Sequence, residues 1–415
     1  MAKMSSRNMS NAKIFQSLLH AEKSEYQEYE ESVTDKFFFE YAVKGTHIRE
    51  VIRMEKHDIL PSFFLGANTA DGFFPLNGDL LLQGDDQRLF LIKGGPGTGK
   101  SSLMRAVYER AKEENIPVER IFCSSDPNSL DGIVLPSLRA IVLDATPPHP
   151  FELKYPGVCG HLIDMGQCWD ANKLAASGEE IIRVSRENAQ AHVACQRFLS
   201  VAAALKRQCM QSAAMHTDLL RVDRCAKRIC AKMLPLRAEE STQSRRFLSA
   251  CTPVGIRVFY ETLTGLCPQI IAVEDTFGAV SAAFMRTVLQ EGRRRGLRMI
   301  CCPCILQPDS VPEHILLPDE GIAFFTSNGY HPAPDTALRL IRGTRFEDRG
   351  ALYAYKNRFS FCRRAMDELL DGAVEKLEEA KRLHDCLESY YIAAMDFGKA
   401  EKLKIDLLGE LFDGE

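Results

Sequence analysis

No stretch of the 415-residue chain carries the roughly 18 consecutive apolar residues that a membrane-spanning helix needs, and the opening "MAKMSSRNMSNAKIFQ" lacks the apolar core of a secretory leader. Neither membrane insertion nor export is expected, and the cytoplasm is the expected compartment. Charge of one sign is missing as well: 52 Lys and Arg stand against 56 Asp and Glu, so nothing global marks the chain for nucleic acid or an anionic membrane surface. Local basic runs such as "EGRRRGLR" (291–298) read as solvated helix faces. Zinc-type pairs are absent among the 14 cysteines, which in a reducing compartment read as buried thiols and not as a disulfide framework. The densest group, Cys301, Cys302 and Cys304 in "CCPC", has no second ligand pair and reads as the end of a buried strand.

What is present is an ordinary globular composition, 45% hydrophobic and 26% charged, in a chain long enough for two or three domains. Residues 1–60 are polar and helix-like. From Phe63 the pattern turns to short apolar runs punctuated by Gly and Pro: "RLFLIK" (88–93), a helical stretch from Lys100, "VERIFC" (118–123) and "AIVLD" (140–144). Strands alternating with a helix predict an α/β fold with a parallel sheet of the doubly wound kind. Between Glu179 and Leu234 there is neither Gly nor Pro, which predicts a long helix or helical pair. A second helical region runs from Ala351 to the end, with interruptions expected at Gly372 and Gly398.

The chain also repeats itself. "SFFLGANTADGF" (62–73) lies against "RRFLSACTPVGI" (245–256), matching Phe64 with Phe247, Ala67 with Ala250, Thr69 with Thr252 and Gly72 with Gly255. "GTGKSSLMRAVYERAKEENI" (97–116) follows against "GAVSAAFMRTVLQEGRRRGL" (278–297), then "DPNSLDGIVLP" (126–136) against "QPDSVPEHILLP" (307–318), and finally His149-Pro150 against His331-Pro332. The order of the matches and their near-constant offset of about 180 residues predict a tandem duplication.

In the first copy, Gly94-Gly95-Pro96-Gly97-Thr98-Gly99-Lys100-Ser101 fits G-x-x-x-x-G-K-[ST] between an apolar strand and a helix. Glycines let such a loop fold into a nest of N–H groups, and the following helix adds the positive end of its dipole. The expected nucleotide-binding residues are Gly94 to Ser101 together with Ser102. Lys100 would bridge the β- and γ-phosphates of ATP, and the Ser101 hydroxyl would ligate Mg2+. Magnesium also wants a carboxylate, and Asp144, ending an apolar strand, is the candidate. Asp126 and Asp131 follow the second strand and could position water or a substrate hydroxyl, although Asp-Pro and Asp-Gly also form turns. Lys100, Asp144 and Asp126 are thus the candidate catalytic residues, with His149 and His161 as weaker ones.

The second copy lacks each of these elements. "GGPGTGKS" becomes "DTFGAVSA" (275–282), with Ser281 in place of Lys100, Ala282 in place of Ser101 and Asp275 where phosphate would approach, while Thr326 meets Asp144. This predicts a pseudo-domain without nucleotide. A competing reading takes "PQIIAVED" (268–275) as an acidic strand end, with Glu274 and Asp275 serving the first loop in one large ATPase domain.

The loop resembles that of P-loop NTPases, and "GGPGTGKSSLM", "CSSDPNSLDG", "AIVLDATPPH" and "KYPG" together resemble an uncharacterised bacterial family of ATP-binding proteins with two P-loop-like halves in tandem. The resemblance covers most of residues 60–345 and implies ATP binding at Gly94–Ser101; it brings no substrate. The reading is a P-loop core at 61–170, a helical appendage at 171–243, a degenerate α/β copy at 244–345 and a C-terminal helical region at 346–415. Its expected activity is Mg2+-dependent ATP hydrolysis at one site. A small-molecule or nucleotide kinase and a nucleotide-responsive scaffold without turnover are the alternatives. Arg342 and Arg345 are candidates for an arginine finger, the helical regions for contact with a protein partner.

Overall fold

The apolar runs of the first half form strands β1 (Ser62–Phe64), the hairpin β2 (Gly66–Thr69) and β3 (Gly72–Pro75), β4 (Arg88–Lys93), β5 (Glu119–Phe122), β6 (Leu130–Leu135), β7 (Ala140–Asp144) and β8 (Gly160–Asp164), with helix α1 (Lys100–Glu113) between β4 and β5. The structure, a computed structural model, describes residues 61–80, 87–147, 151, 153 and 156–413. The helix-like segment 1–60 and His149 lie outside the described residues. After a short helix α2 (Ala171–Ala176) come α3 (Gly178–Ala214) and α4 (Leu219–Met233), the helical pair expected from the Gly- and Pro-free stretch. The second half supplies β9 (Thr242–Arg245), the hairpin β10 (Ser249–Thr252) and β11 (Gly255–Val258), α5 (Tyr260–Leu266), β12 (Gln269–Glu274), α6 (Ala279–Arg294), β13 (Arg298–Cys302), β14 (His314–Leu317), β15 (Ile322–Ser327) and β16 (Arg339–Arg342). Helices α7 (Arg349–Tyr353), α8 (Lys356–Ala394) and α9 (Phe397–Leu408) close the chain.

Two six-stranded sheets result, ordered β1-β5-β6-β7-β4-β8 and β9-β13-β14-β15-β12-β16. Strand for strand, the order and the relative directions agree. Both sheets are mixed and not wholly parallel as expected: β6 and β14 run against their neighbours. The reason is connection length. Residues 123–129 and 136–139 flank β6, and a parallel return requires a crossover of about a dozen residues or more.

Alternation along the strands sorts their side chains between two faces. Phe90 and Ile92 of β4 pack with Leu103, Met104 and Val107 of α1, while Leu89 and Leu91 enter a core shared by both halves. Ile271 and Val273 of β12 pack with Val280, Phe284 and Val288 of α6, and Ile270 joins the shared core. At its heart the Phe64 N–H donates to the Phe247 carbonyl and the Phe247 N–H to the Phe64 carbonyl, both at 2.9 Å. Phe63, Phe64, Phe247 and Phe325 are fully buried there, each worth roughly 1.5–3 kcal/mol of transfer free energy.

Helices α3 and α8 pack antiparallel: Asn188 Nδ2 donates to the Ala380 carbonyl (2.7 Å), and the Phe198 ring lies against Gly372. The expected interruption at Gly372 does not occur. A Cβ at that position would lie 2.8 Å from the Phe198 ring, so this glycine permits close helix packing. The true break, after Met395, is made by Asp396, whose carboxylate caps α9 through the Gly398 and Lys399 N–H groups (3.1 and 3.2 Å). Strand β9 begins inside the segment expected to be helical and forms the edge of the second sheet. Among the described residues no helix is long and apolar enough to cross a membrane.

Candidate functional site

Residues 94–99 lead from β4 into α1. Gly97 (φ 70°) and Gly99 (φ 92°) occupy the left-handed region, which glycine enters without the steric cost of a Cβ. Thr98 Oγ1 donates to the Gly95 carbonyl (2.8 Å), drawing the loop into a tight arc. Among the described residues, no hydrogen-bond acceptor meets the backbone N–H groups of Gly95, Gly97, Gly99, Lys100 and Ser101, so these donors remain for a ligand. Lys100 Nζ donates to the carbonyls of Gly94 (2.9 Å) and Gly95 (2.8 Å) and lies 3.6 Å from Asp144 Oδ2. Asp144 arrives from β7, in register with Ile92 of β4; its Oδ1 accepts from the Thr146 N–H (2.8 Å), and Thr146 Oγ1 donates to the Gly94 carbonyl (3.1 Å). Ser101 Oγ accepts from the Leu130 N–H (3.0 Å), tying α1 to β6, and Ser102 is exposed.

The remaining candidates are engaged elsewhere. Asp126 accepts from the Asn128 N–H (3.3 Å) and lies 3.5 Å from Lys381 of α8; it forms a turn and makes no hydrogen bond or ion pair with Lys100 or Asp144. Asp131 stands beside Cys123, whose thiol is pushed well up by burial and then by that charge. His161 stacks on Phe90 (4.7 Å between centroids) and holds Glu410 at 2.7 Å. Arg342 lies 3.9 Å from Glu274, and Arg345 packs over Phe346; both belong to the second half.

One neighbour of the loop has no signal in the local sequence. The C-terminal turns of α8 lie on it: the Tyr391 ring occupies the place a Cβ of Gly95 would take, and a Cβ at Gly97 would stand 2.8 Å from the Glu388 carbonyl. Trp169, the single tryptophan, packs edge-on to Tyr391 at 5.6 Å. These two glycines therefore serve helix packing as well as loop curvature.

The corresponding loop of the second half is closed from within. Only residues 275–277 separate β12 from the capping Gly278 (φ 85°), against 94–98 before Gly99, so Gly278 answers Gly99 and not Gly97, and Ala279 and Val280, not Ser281 and Ala282, stand at the places of Lys100 and Ser101. Asp275, 3% exposed, turns its carboxylate into this tighter loop: Oδ1 accepts from the N–H groups of Phe277 (3.0 Å) and Gly278 (2.9 Å), and Oδ2 from Ser281 (2.7 Å). A side chain thus satisfies the donors that the first loop leaves open. Thr326 pairs with Val273 as Asp144 pairs with Ile92, so no carboxylate stands at that strand end. Glu274 ends β12 of the second sheet and Asp275 follows it, whereas the first loop follows β4 of the other sheet.

Beside this second loop lies a buried polar cluster that local sequence reasoning does not reveal, because Lys206 comes from the middle of α3. Lys206 Nζ contacts Glu313 Oε1 (3.1 Å) and Cys304 Sγ (3.0 Å). Burial opposes the charge on Glu313, but Lys206 and the neighbouring histidines outweigh it and hold the carboxyl well below the usual range. His314 Nδ1 accepts from the Thr326 N–H (3.2 Å), which leaves the proton of the neutral ring on Nε2, and His331 Nε2 meets Ser249 Oγ (2.8 Å). Although Glu313, His314 and His331 converge, a protonated Nε2 cannot ligate and an ammonium already holds the carboxylate. The cluster is a polar core.

Burial, then His331, lowers the His314 pKa to about 3, and His331 is lowered as well. A base with a depressed folded pKa leaves the extra proton to the unfolded chain, so this contribution to stability is complete above about pH 6.5 and declines toward pH 3. At pH 5 the loss from His314 alone is about 2 kcal/mol. Urea unfolding at pH 7.5 and 5.0 checks this: the parent is expected to lose about 2 kcal/mol more than His314→Gln, and equal losses would refute it.

No family model, curated protein or solved structure matches this chain.

Proposed function

We propose that the chain is a P-loop NTPase that binds ATP and hydrolyses it with Mg2+ at a single site in its first half. The second half is, on this reading, a tandem copy that no longer accepts nucleotide. One observation carries the proposal: two loops in the same place in two sheets of the same strand order differ in that one leaves its donors open, with Lys100 and Asp144 at its mouth, and the other fills them with Asp275. The open N–H groups and Lys100 suit the phosphates of ATP; Ser101 and Asp144 offer the hydroxyl and carboxylate oxygens that suit Mg2+. Bound there, the metal would neutralise charge developing on the transferred phosphoryl group. The residues of the chain would position: Gly97 and Gly99 curve the backbone toward the anion, and Thr146 holds Asp144 to the loop.

The test is ATP binding and phosphate release with Mg2+ in the parent, in Asp144→Ala and in the double change Glu274→Ala/Asp275→Ala. Release is expected to fall by about 10²-fold or more in Asp144→Ala, with the double change near parental. Binding retained but release abolished in the double change would place the catalytic acids in the second half and overturn the single-site reading. The packing of α8 on the loop favours a second reading, a nucleotide-responsive scaffold; tight ATP binding with no release in the parent, unaltered by Asp144→Ala, would select it.

A further inference from the structure

The second half carries a cavity of about 600 Å3 beside its closed loop, within the range that holds a drug-sized molecule. Its walls are largely apolar: Phe277 of the loop stacks on Phe359 of α8 (4.1 Å between centroids), and Met210 of α3 and Leu306 complete the face. Methionine side chains adapt to irregular ligands, and the stacked rings offer a flat surface.

The charges around this space are unevenly satisfied. Every acid that lines it already has a partner: Asp275 takes the N–H groups of its own loop, Glu313 takes Lys206, and Asp367 accepts from the Tyr330 hydroxyl (2.7 Å). The cations at its mouth do not. Arg286, Lys356 and Arg363 are exposed and make no ion pair with any described residue; Lys356 only lies over the Tyr353 ring. An apolar chamber rimmed by uncompensated positive charge is complementary to a molecule with an apolar body and an anionic group. The anion of that molecule cannot enter the loop as a nucleotide's phosphates would, because the Asp275 carboxylate is there and would repel it.

We propose that this cavity is a binding site for a small amphiphilic anion, its apolar body against Phe277, Phe359 and Met210 and its charge at Arg286 and Arg363. The site does not depend on nucleotide hydrolysis in the first half. Through α8 it is nevertheless joined to the first loop, since the helix lines the cavity with Lys356, Phe359 and Arg363 and lies on Gly95 and Gly97 with Glu388 and Tyr391.

Two dyes of the same aromatic body test it on the full chain: anilinonaphthalene sulfonate, an anion, and phenyl-naphthylamine, its uncharged counterpart, both followed by fluorescence. The expected result is saturable binding of one sulfonate dye per chain. Arg286→Ala/Arg363→Ala would weaken the sulfonate dye by about ten-fold and the neutral dye by less than about two-fold. Ser360→Trp, which fills the chamber from a half-buried position on α8, would remove both, and melting temperatures would confirm that the variants fold. Sulfonate binding that survives Ser360→Trp, or that the arginine changes leave unaltered, would overturn the proposal. So would displacement of the dye by ATP in a Lys100→Ala chain, because the cavity would then be a nucleotide site.

Discussion

Changing Lys100 to alanine is expected to lower Mg2+-dependent phosphate release from ATP by about 10²–10³-fold, the scale on which a single preorganised contact to a developing charge acts. The expectation rests on where the ammonium is held. Its two hydrogen bonds go to carbonyls of the loop itself, Gly94 and Gly95, and Asp144 stands 3.6 Å away. The side chain is thus parked across the mouth of the loop, with 13% of its surface exposed, and a phosphate would exchange these neutral carbonyls for charged oxygens. Stability should change far less than activity, because the carbonyls it leaves can turn to water. Phosphate release and calorimetric ATP titration of parent and variant decide the matter, with melting temperature as the control. Release within two-fold of the parent would mean that the loop does not carry the chemistry.

The largest effect on stability is expected in the other half. Replacing Lys206 by methionine leaves the Glu313 carboxylate, 6% exposed, without its cation, and breaking a buried pair in this way costs about 3–5 kcal/mol. Lys206 is held above its usual range despite burial, because Cys304 and Glu313 favour its charge, and Glu313 is held below its own. In the parent the pair is therefore charged at every pH between the ordinary carboxylate and lysine ranges, and at pH 7.5 the variant meets the penalty. Without the lysine, burial would push the Glu313 carboxyl upward, so the deficit of the variant should shrink as the pH is lowered and the carboxyl takes up a proton. The double change Lys206→Met/Glu313→Gln should recover much of the loss, since no buried charge remains. Urea unfolding at pH 7.5 measures all three chains; a loss under about 0.5 kcal/mol for Lys206→Met would show that the pair contributes nothing net.

The open loop and its closed counterpart were both legible along the chain, for one physical reason: each is built from consecutive residues. The strand "RLFLIK", the glycines at 97 and 99 and the lysine at 100 are neighbours in sequence, and a nest of N–H groups is a local backbone conformation. Likewise, Asp275 could be read as a negative charge in the wrong place. Its actual bonds, to the N–H groups of Phe277, Gly278 and Ser281, became visible only in three dimensions because they depend on the shortened turn before Gly278. Strand β6 runs antiparallel in a sheet that the alternation of strands and helix predicts to be parallel, and the short connections on either side of it impose that direction.

The sequence by itself determined the strand–loop–helix unit, a second such unit whose loop has no lysine, and the helical pair, because period, turn chemistry and residue type are properties of contiguous segments. Only the tertiary structure decided that Gly372 continues a helix, that Asp126 pairs with Lys381, that Tyr391 lies on Gly95, and that Lys206 meets Glu313 across 107 residues of chain. Those contacts arise where the packing of α3 and α8 against two sheets brings distant residues together, and no local pattern encodes a meeting between side chains whose separation is set by the fold as a whole.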